Sequence, residues 1–255
     1  MEQPPKSGIL PNQALWRRHS DAVNLGLLRD WLSPQWVEHL LKTDVFDEAV
    51  STGLLPYLKG RAGMVTGMDV SNRVAHAVRK RCPGVELAVA DVRVLPFRDG
   101  SFDCIVSNST LDHLASQQEI RHGISGLADK LKSGGTLILT MDNLSNPVVW
   151  IRNALPFNWL HRLRLVPYCI GATCGPGRLV AYVRQSGLRL REVRAILHCP
   201  RVLAVGAAGL LSRRVGPESQ DRFLRFLMSF EVVARWPTRF VTGYFVAVLA
   251  EKPSS

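Results

Sequence analysis

Val65-Thr-Gly-Met-Asp69-Val-Ser71, Val85-Glu-Leu-Ala-Val-Ala-Asp91-Val92 and Phe102-Asp-Cys-Ile-Val-Ser-Asn108 follow one another in this chain. Each is a short apolar run that ends in a polar group. The first two stop at a carboxylate, and the third continues into Ser-Thr-Leu-Asp112-His113. Acids at the carboxyl ends of neighbouring buried strands, separated by a helix, are what an open parallel α/β sheet uses to hold a nucleoside in its crevice.

Working outward, Ser71 is placed to cap a helix over Asn72 to Arg81. The stretch from Trp36 to Leu55 should hold the first strand, its turn and the start of a helix. A helix follows from about Gly53 to Leu58, then the strand ending at Asp69. Downstream, Ile120, Ile124, Leu127, Ala128 and Leu131 keep one apolar face on a helix from Gln117 to Leu131. Lys132-Ser-Gly134-Gly135 breaks it before a buried strand, Thr136 to Thr140. Helices over Arg178 to Gln185, Val202 to Leu211 and Asp221 to Ala234, and a strand over Leu188 to Leu197, come next. A last strand, Thr242 to Ala250, enters the sheet antiparallel after a long excursion. Repeated strand–helix units require helices on both faces of a mostly parallel sheet. The first 35 residues read as one or two amphipathic helices, with Leu15, Val23, Leu27, Leu28 and Leu32 at helical spacing.

At 255 residues and 46% hydrophobic, the chain can bury one large core. The expected organisation is an N-terminal helical cap over 1–35 and a single domain over 36–255. Within that domain, 36–145 is the cofactor half, 146–240 the substrate- and lid-rich half, and 241–255 the closing strand and tail. Met-Glu-Gln-Pro-Pro-Lys has no apolar run behind a basic start, so it does not read as a signal peptide. No apolar run approaches the roughly 20 residues of a bilayer span. Five cysteines without a C-x-x-C pair point to a reducing, cytoplasmic setting, and no metal is expected at Cys169, Cys174 or Cys199. The formal charge is +11, and residues 151–240 hold 15 Arg and no Lys against four acids. That excess suits an anionic acceptor or an anionic membrane face, or is an Arg-rich solvated surface. No nucleic-acid motif accompanies it.

Five pieces in order resemble class I S-adenosylmethionine-dependent methyltransferases of the type 11, small-molecule group. They are Gly67-Met-Asp69-Val-Ser71, Ala90-Asp91-Val92, Leu95-Pro96-Phe97, Ser101-Phe102-Asp103-Cys-Ile-Val-Ser-Asn108, and Leu131-Lys-Ser-Gly134-Gly135. The resemblance spans roughly Leu40 to Thr140. It implies a Rossmann-like, doubly wound sheet of seven strands, the last antiparallel, with helical lid insertions. The family's acid-x-Gly-x-Gly-x-Gly turn falls, by interval, on Asp47-Glu48-Ala49-Val50-Ser51-Thr52-Gly53. Only the last glycine is present, so the motif is degenerate. Asp44 is the alternative acid if the first strand ends earlier.

The resemblance implies these roles. Asp69 accepts both ribose hydroxyls, Asp91 takes the adenine amino group, and Val92 contributes its backbone amide. Met68 or Val70 lines the adenine. Asp47, Ala49, Ser51 and Gly53 receive the amino acid end, and Asn108 reaches the methyl donor. A base is optional for an in-line methyl transfer. His113 is the first candidate, with Asp112 beside it, and His198 and Asp142 are others. The acceptor is a small or lipid-like molecule, walled by aromatics drawn from Trp150, Phe157, Trp159, Tyr168, Phe223 and Trp236. The competing expectations are a methyltransferase-fold binding module without catalysis, and a peripheral membrane protein. The sequence leaves the acceptor, the methylated atom and the oligomeric state open.

Overall fold

The computed structural model describes residues 14–32, 36–156, 162, 171–214 and 216–254. Seven strands form one sheet in the order β3-β2-β1-β4-β5-β7-β6. They are β1 (Val37–Thr43), β2 (Ala62–Asp69), β3 (Glu86–Val89), β4 (Phe102–Asn108), β5 (Leu131–Asp142), β6 (Arg189–Ile196) and β7 (Phe245–Glu251). The first five run parallel. β7 is antiparallel to both β5 and β6, as the sequence leads one to expect of the last strand. The strand order reverses between β1 and β4, which makes their carboxyl ends the topological switch point.

The sheet is buried on both faces because its strands are nearly continuous apolar runs. On one face Leu40, Val106, Ile138 and Ala247 pack under α1 (Ala14–Trp31), α3 (Leu55–Lys59) and α4 (Asn72–Arg81), together with Leu15, Leu28, Leu58 and Val78. On the other, Leu41, Ile105, Leu139 and Val248 pack under α5 (Gln117–Lys130) and a helix α7 (Pro176–Gln185). Helix starts follow their cap residues. The Ser71 hydroxyl accepts from Val74 N, and the Ser116 hydroxyl from Glu119 N. Gly187 leaves α7 with φ +79, the left-handed conformation that glycine adopts without cost.

Several boundaries differ from the sequence expectation. β5 begins at Leu131 rather than after Gly135, because Gly134 and Gly135 pair with Lys252 beside β7. The helix expected from Asp221 starts earlier, as α9 (Pro217–Ser229), and ends as a 3₁₀ segment, Phe230–Arg235. Residues 239–242 turn as a short helix, α10 (Arg239–Thr242), before β7. Their backbone is held by Asn143 Nδ2, which donates to Phe240 O and Gly243 O at 2.7 and 2.9 Å. α6 (Pro147–Ala154) and α8 (Arg201–Arg214) complete the layers. α1 packs on the sheet, with Leu27 and Leu28 among the core residues.

Candidate functional site at the carboxyl ends of the strands

The segment expected to form the glycine-type turn, Asp47 to Gly53, begins after β1 has ended, and the alternative acid, Asp44, directly follows the strand. β1 stops at Thr43, and Asp44 takes a left-handed conformation with φ +58, the place where a glycine would be usual. Asp47 lies beyond the strand end, on α2 (Phe46–Val50), a single helical turn. Ala49 and Ser51 are part of that turn and its cap: Ala49 N donates to Val45 O, and Ser51 N to Asp47 O. Neither needs positive φ there, so non-glycine residues are tolerated. Gly53 does need it, at φ +60.

Beneath this turn lies a buried ion pair that sequence reasoning missed. Lys42, on β1, and Glu48, on α2, are 2% and 0% exposed. Lys42 Nζ donates to Glu48 Oε2 at 3.1 Å and to Asp44 O at 2.6 Å, and Leu54 N donates to Glu48 Oε1 at 2.9 Å. Burial alone would push Lys42 down, but the Glu48, Asp44 and Asp47 carboxyls outweigh it and hold the amine above its ordinary value. A Cβ on Gly53 would stand 2.6 Å from the Glu48 carboxyl. Gly53→Ala should therefore cost about 1 to 3 kcal/mol through strained φ and a displaced Glu48. An unchanged denaturant midpoint for that variant would mean that the loop relaxes without cost.

α1 adds charge from above. Arg17 forms an ion pair with Asp47 and lies 5.3 Å from the Phe46 ring centroid. Asp21, one turn further along α1, is pushed up to about 7 by burial and by the nearby Asp47 and Glu48 carboxylates. Four acids (Asp21, Asp44, Asp47, Glu48) thus share two cations (Lys42, Arg17). Burial is the larger cause of the raised Asp21 carboxyl, and the neighbouring carboxylates add to it. Further along, Asn24, Leu27 and Leu28 close on Val106, Ser107 and Asn108, leaving a cavity of about 10 Å³. That is room for about one water.

The other predicted groups fall on neighbouring strand ends. Asp69 is 8% exposed at the end of β2, and its Oδ1 accepts from Ser71 N at 2.9 Å. Ala90 N donates to Asp69 O at 3.0 Å, which brings the end of β3 beside it. Asp91 is clasped by Arg93, whose guanidinium holds its carboxyl below the usual range. The Val92 side chain and Met68 are buried in the core, whereas Val70 is 61% exposed. Asn108 Oδ1 accepts from the Thr140 hydroxyl at 2.6 Å, and Ser109 turns left-handed with φ +48. Between β1 and β4 the hydroxyls of Thr43, Ser107 and Thr110 form a chain, with contacts of 3.0 and 2.6 Å.

Beyond β4 and β5 the structure joins residues that the sequence left scattered. Asp112 sits in the 3₁₀ turn Leu111–His113, 8% exposed, and its buried Oδ1 has no hydrogen-bond partner among the described residues. Burial and the neighbouring Asp142 push its carboxyl up to about 6. Asp142 Oδ2 accepts from Arg152 Nη2 at 2.5 Å, and Arg152 Nη1 donates to the Tyr244 hydroxyl at 2.8 Å. Arg201 stacks on the other partner of this cluster, 4.2 Å from the Tyr244 ring centroid. His113 is part-exposed. His198 is placed elsewhere, with ring nitrogens 2.8 Å from the Thr242 hydroxyl and 3.0 Å from Ala195 O. Both of its nitrogens are thereby used in holding α10 to β6. Cys174 and Cys199 belong to opposite faces of the sheet. Phe157, Trp159, Tyr168 and Cys169 lie outside the described residues.

A groove of about 290 Å³, lined by His39, Met64, Glu86, Leu87 and Phe102, lies toward the amino ends of β1 to β4. It is at the wrong end of the strands to share a ligand with Asp69 and Asp91.

With this geometry in place, residues 48–139 match the family model described as a methyltransferase domain. The trans-aconitate 2-methyltransferase of Rhizobium rhizogenes is 37% identical over 99 residues, 38% of this chain and 36% of that protein. The matched part spans only about a quarter to a third of the length of the curated relatives. Among solved structures, the [4+2]-cyclase SpnF superposes with a TM-score of 0.60 at 17% identity, covering 100% of this chain and 86% of that one. Geranyl diphosphate C-methyltransferase from Streptomyces coelicolor A3(2), in complex with Mg²⁺, geranyl diphosphate and S-adenosyl-L-homocysteine, superposes with a TM-score of 0.59 at 16% identity, covering 91% and 77%. A cyclase and a methyltransferase share this fold, so the fold alone does not decide the reaction.

Proposed function

We propose that the chain is a class I S-adenosylmethionine-dependent methyltransferase, a reading supported by its domain match and its sheet order, and that it methylates a small-molecule or lipid-like acceptor. The observation that carries this reading is the buried Asp69 carboxylate at the end of β2, tied through Ala90 to the Asp91 strand end. Two acids at adjacent strand ends suit the two hydroxyls of a ribose and the amino group of an adenine. The residues around α2 fit the rest of the cofactor by charge: Asp21 and Asp47 lie within electrostatic reach of each other, Asp44 adjoins them at the end of β1, and acids suit an ammonium and a sulfonium. When bound, S-adenosylmethionine supplies an electrophilic methyl group on a sulfonium.

The chain's own part is alignment and exclusion of water, which can supply about 7 to 11 kcal/mol of the barrier. Asn108 and the Thr43–Ser107–Thr110 hydroxyls stand at the switch point, where the family resemblance sets the methyl-donor end of the cofactor. Among the candidate bases Asp112 is favoured over His113, because its buried Oδ1 has no hydrogen-bond partner among the described residues and burial with Asp142 pushes its carboxyl up to about 6. Arg152, through Asp142 and Tyr244, then acts as a positioning residue. The acceptor proton would pass to the Asp112 carboxylate as the oxygen– or nitrogen–methyl bond forms.

Calorimetric titration with S-adenosylmethionine and S-adenosylhomocysteine tests the reading. Micromolar binding is expected, weakened about tenfold or more by Asp69→Ala, as the loss of a charge-assisted hydrogen bond implies. A folded chain that binds neither ligand would overturn the enzyme reading in favour of a binding module. Where binding is found, transfer of radiolabelled methyl into candidate acceptors identifies the substrate class.

A further inference from the structure

Exposed apolar side chains are unevenly spread over the surface. Among the described residues, eleven of the sixteen large exposed hydrophobics lie between Val148 and Val241. Single exposed hydrophobics are ordinary, but a cluster marks an interaction surface. Six of these sit on elements that pack against one another. Trp150 and Ile151 are on α6, Phe226 on α9, Val232 in the 3₁₀ segment, Trp236 just after it, and Val241 on α10. The 3₁₀ segment packs on both α9 and α10. α6 is tied to α10 by Asn146 Nδ2, which donates to Thr242 O at 3.0 Å.

Toward the carboxyl end of α9 and on through α10, the charges that face solvent are cationic. Arg225, Arg235 and Arg239 are exposed. Glu231, the acid among them, is turned inward, accepting from Leu197 N and His198 N at 3.2 and 2.9 Å. Asp221 is paired with Arg18, and Glu218 lies at the far, amino-terminal end of α9. Indole and phenyl groups interleaved with guanidiniums suit a bilayer interface, where aromatic rings sit at headgroup level and cations meet phosphates. A second copy of the same face fits poorly, because two-fold pairing would set these guanidiniums against each other.

We infer that this face, built from α6, the end of α9, the 3₁₀ segment and α10, docks on an anionic lipid surface. Trp150 and Trp236 enter the interface, and Arg225, Arg235 and Arg239 meet the headgroup phosphates. The association is peripheral: no helix among the described residues is long and apolar enough to cross a membrane. It does not rest on the proposed reaction.

The test is sedimentation of the full chain with vesicles of mixed phosphatidylglycerol and phosphatidylcholine, against phosphatidylcholine alone. Binding to the anionic vesicles is expected, at least about tenfold stronger than to neutral ones, and weakened about tenfold by high salt. W150A/W236A should lower it by about tenfold or more, and R235E/R239E by about tenfold or more, with thermal midpoints unchanged. Because the charge reversal touches only exposed positions, it keeps the test intact should the tryptophan variant fold poorly. A folded chain that ignores anionic vesicles, or variants that bind them undiminished, would overturn the inference. So would a dimer in light scattering that W236A dissociates, since the face would then belong to a second copy. Cofactor titration is read separately, so either reading can fail without the other.

Discussion

Glu48→Ala is expected to destabilise the chain by about 3 to 5 kcal/mol, because it leaves Lys42 charged, buried and without its carboxylate. The amine is 2% exposed, and its other oxygen contact is the carbonyl of Asp44. Leu54 N loses its acceptor at the same time. With about 2 to 4 °C per kcal/mol for a chain of this size, the melting midpoint should fall by roughly 10 °C. The double variant Lys42→Met with Glu48→Leu should recover most of that loss, since a buried pair replaced by apolar groups of similar volume is often neutral. The same double variant should bind the cofactor less tightly than its stability suggests, because Asp44 and α2 lose the ammonium that fixes them. A midpoint for Glu48→Ala equal to that of the unaltered chain would show that Lys42 finds water or another acid. The buried-pair account would then be wrong.

That pair is also where the sequence was hardest to read. Lysine and glutamate are rarely fully buried, so Lys42-Thr43-Asp44 resembles the beginning of a surface loop rather than the end of a central strand. Counting back by the family's interval therefore set the turn on Asp47 to Gly53, whereas β1 ends at Thr43. One local signal was available: Asp tolerates left-handed backbone better than most residues, which makes Asp44 a substitute for a turn glycine. By contrast, the end of β2 at Asp69 was legible because a short apolar run and the helix cap that follows it are local properties of the sequence. Ser71 caps its helix, β2 ends at Asp69, and β7 returns antiparallel, all as read. What local pattern could not supply were contacts made across the chain. Arg17 meets Asp47 from 30 residues away, and Tyr244 meets Arg152 from 92 residues away. Those partners are chosen by the packing of α1 and β7, and no spacing rule carries that information.

Asp112→Asn should stabilise the fold at alkaline pH while lowering methyl transfer, and the opposite signs make it the most informative single substitution at the site. The Asp112 carboxyl is raised to about 6 by burial and by Asp142, against an ordinary value near 3.8. A carboxyl raised in the folded state contributes stability below its unfolded value and loses it as pH rises through the folded one. Stability of the unaltered chain should therefore fall between about pH 4 and pH 7 through this group, by roughly 1 to 3 kcal/mol. The asparagine variant cannot ionise, so its advantage should be near zero at pH 4 and reach its full size above pH 7. The groups facing Asp112 set that window: Asp142 raises it, and His113 lowers it. Asp142→Asn should accordingly shift the window to lower pH without abolishing it. Activity should move the other way. Once the radiolabel screen has supplied an acceptor, Asp112→Asn should lose about 10² to 10⁴ in turnover, the usual contribution of a positioned base. The acid limb of the pH–rate profile near 6 should vanish with it, while S-adenosylhomocysteine affinity stays within about threefold. A variant that gains stability above pH 7 and keeps full turnover would make Asp112 a buried acid tolerated for packing alone, and the proton would have to leave through His113 or water.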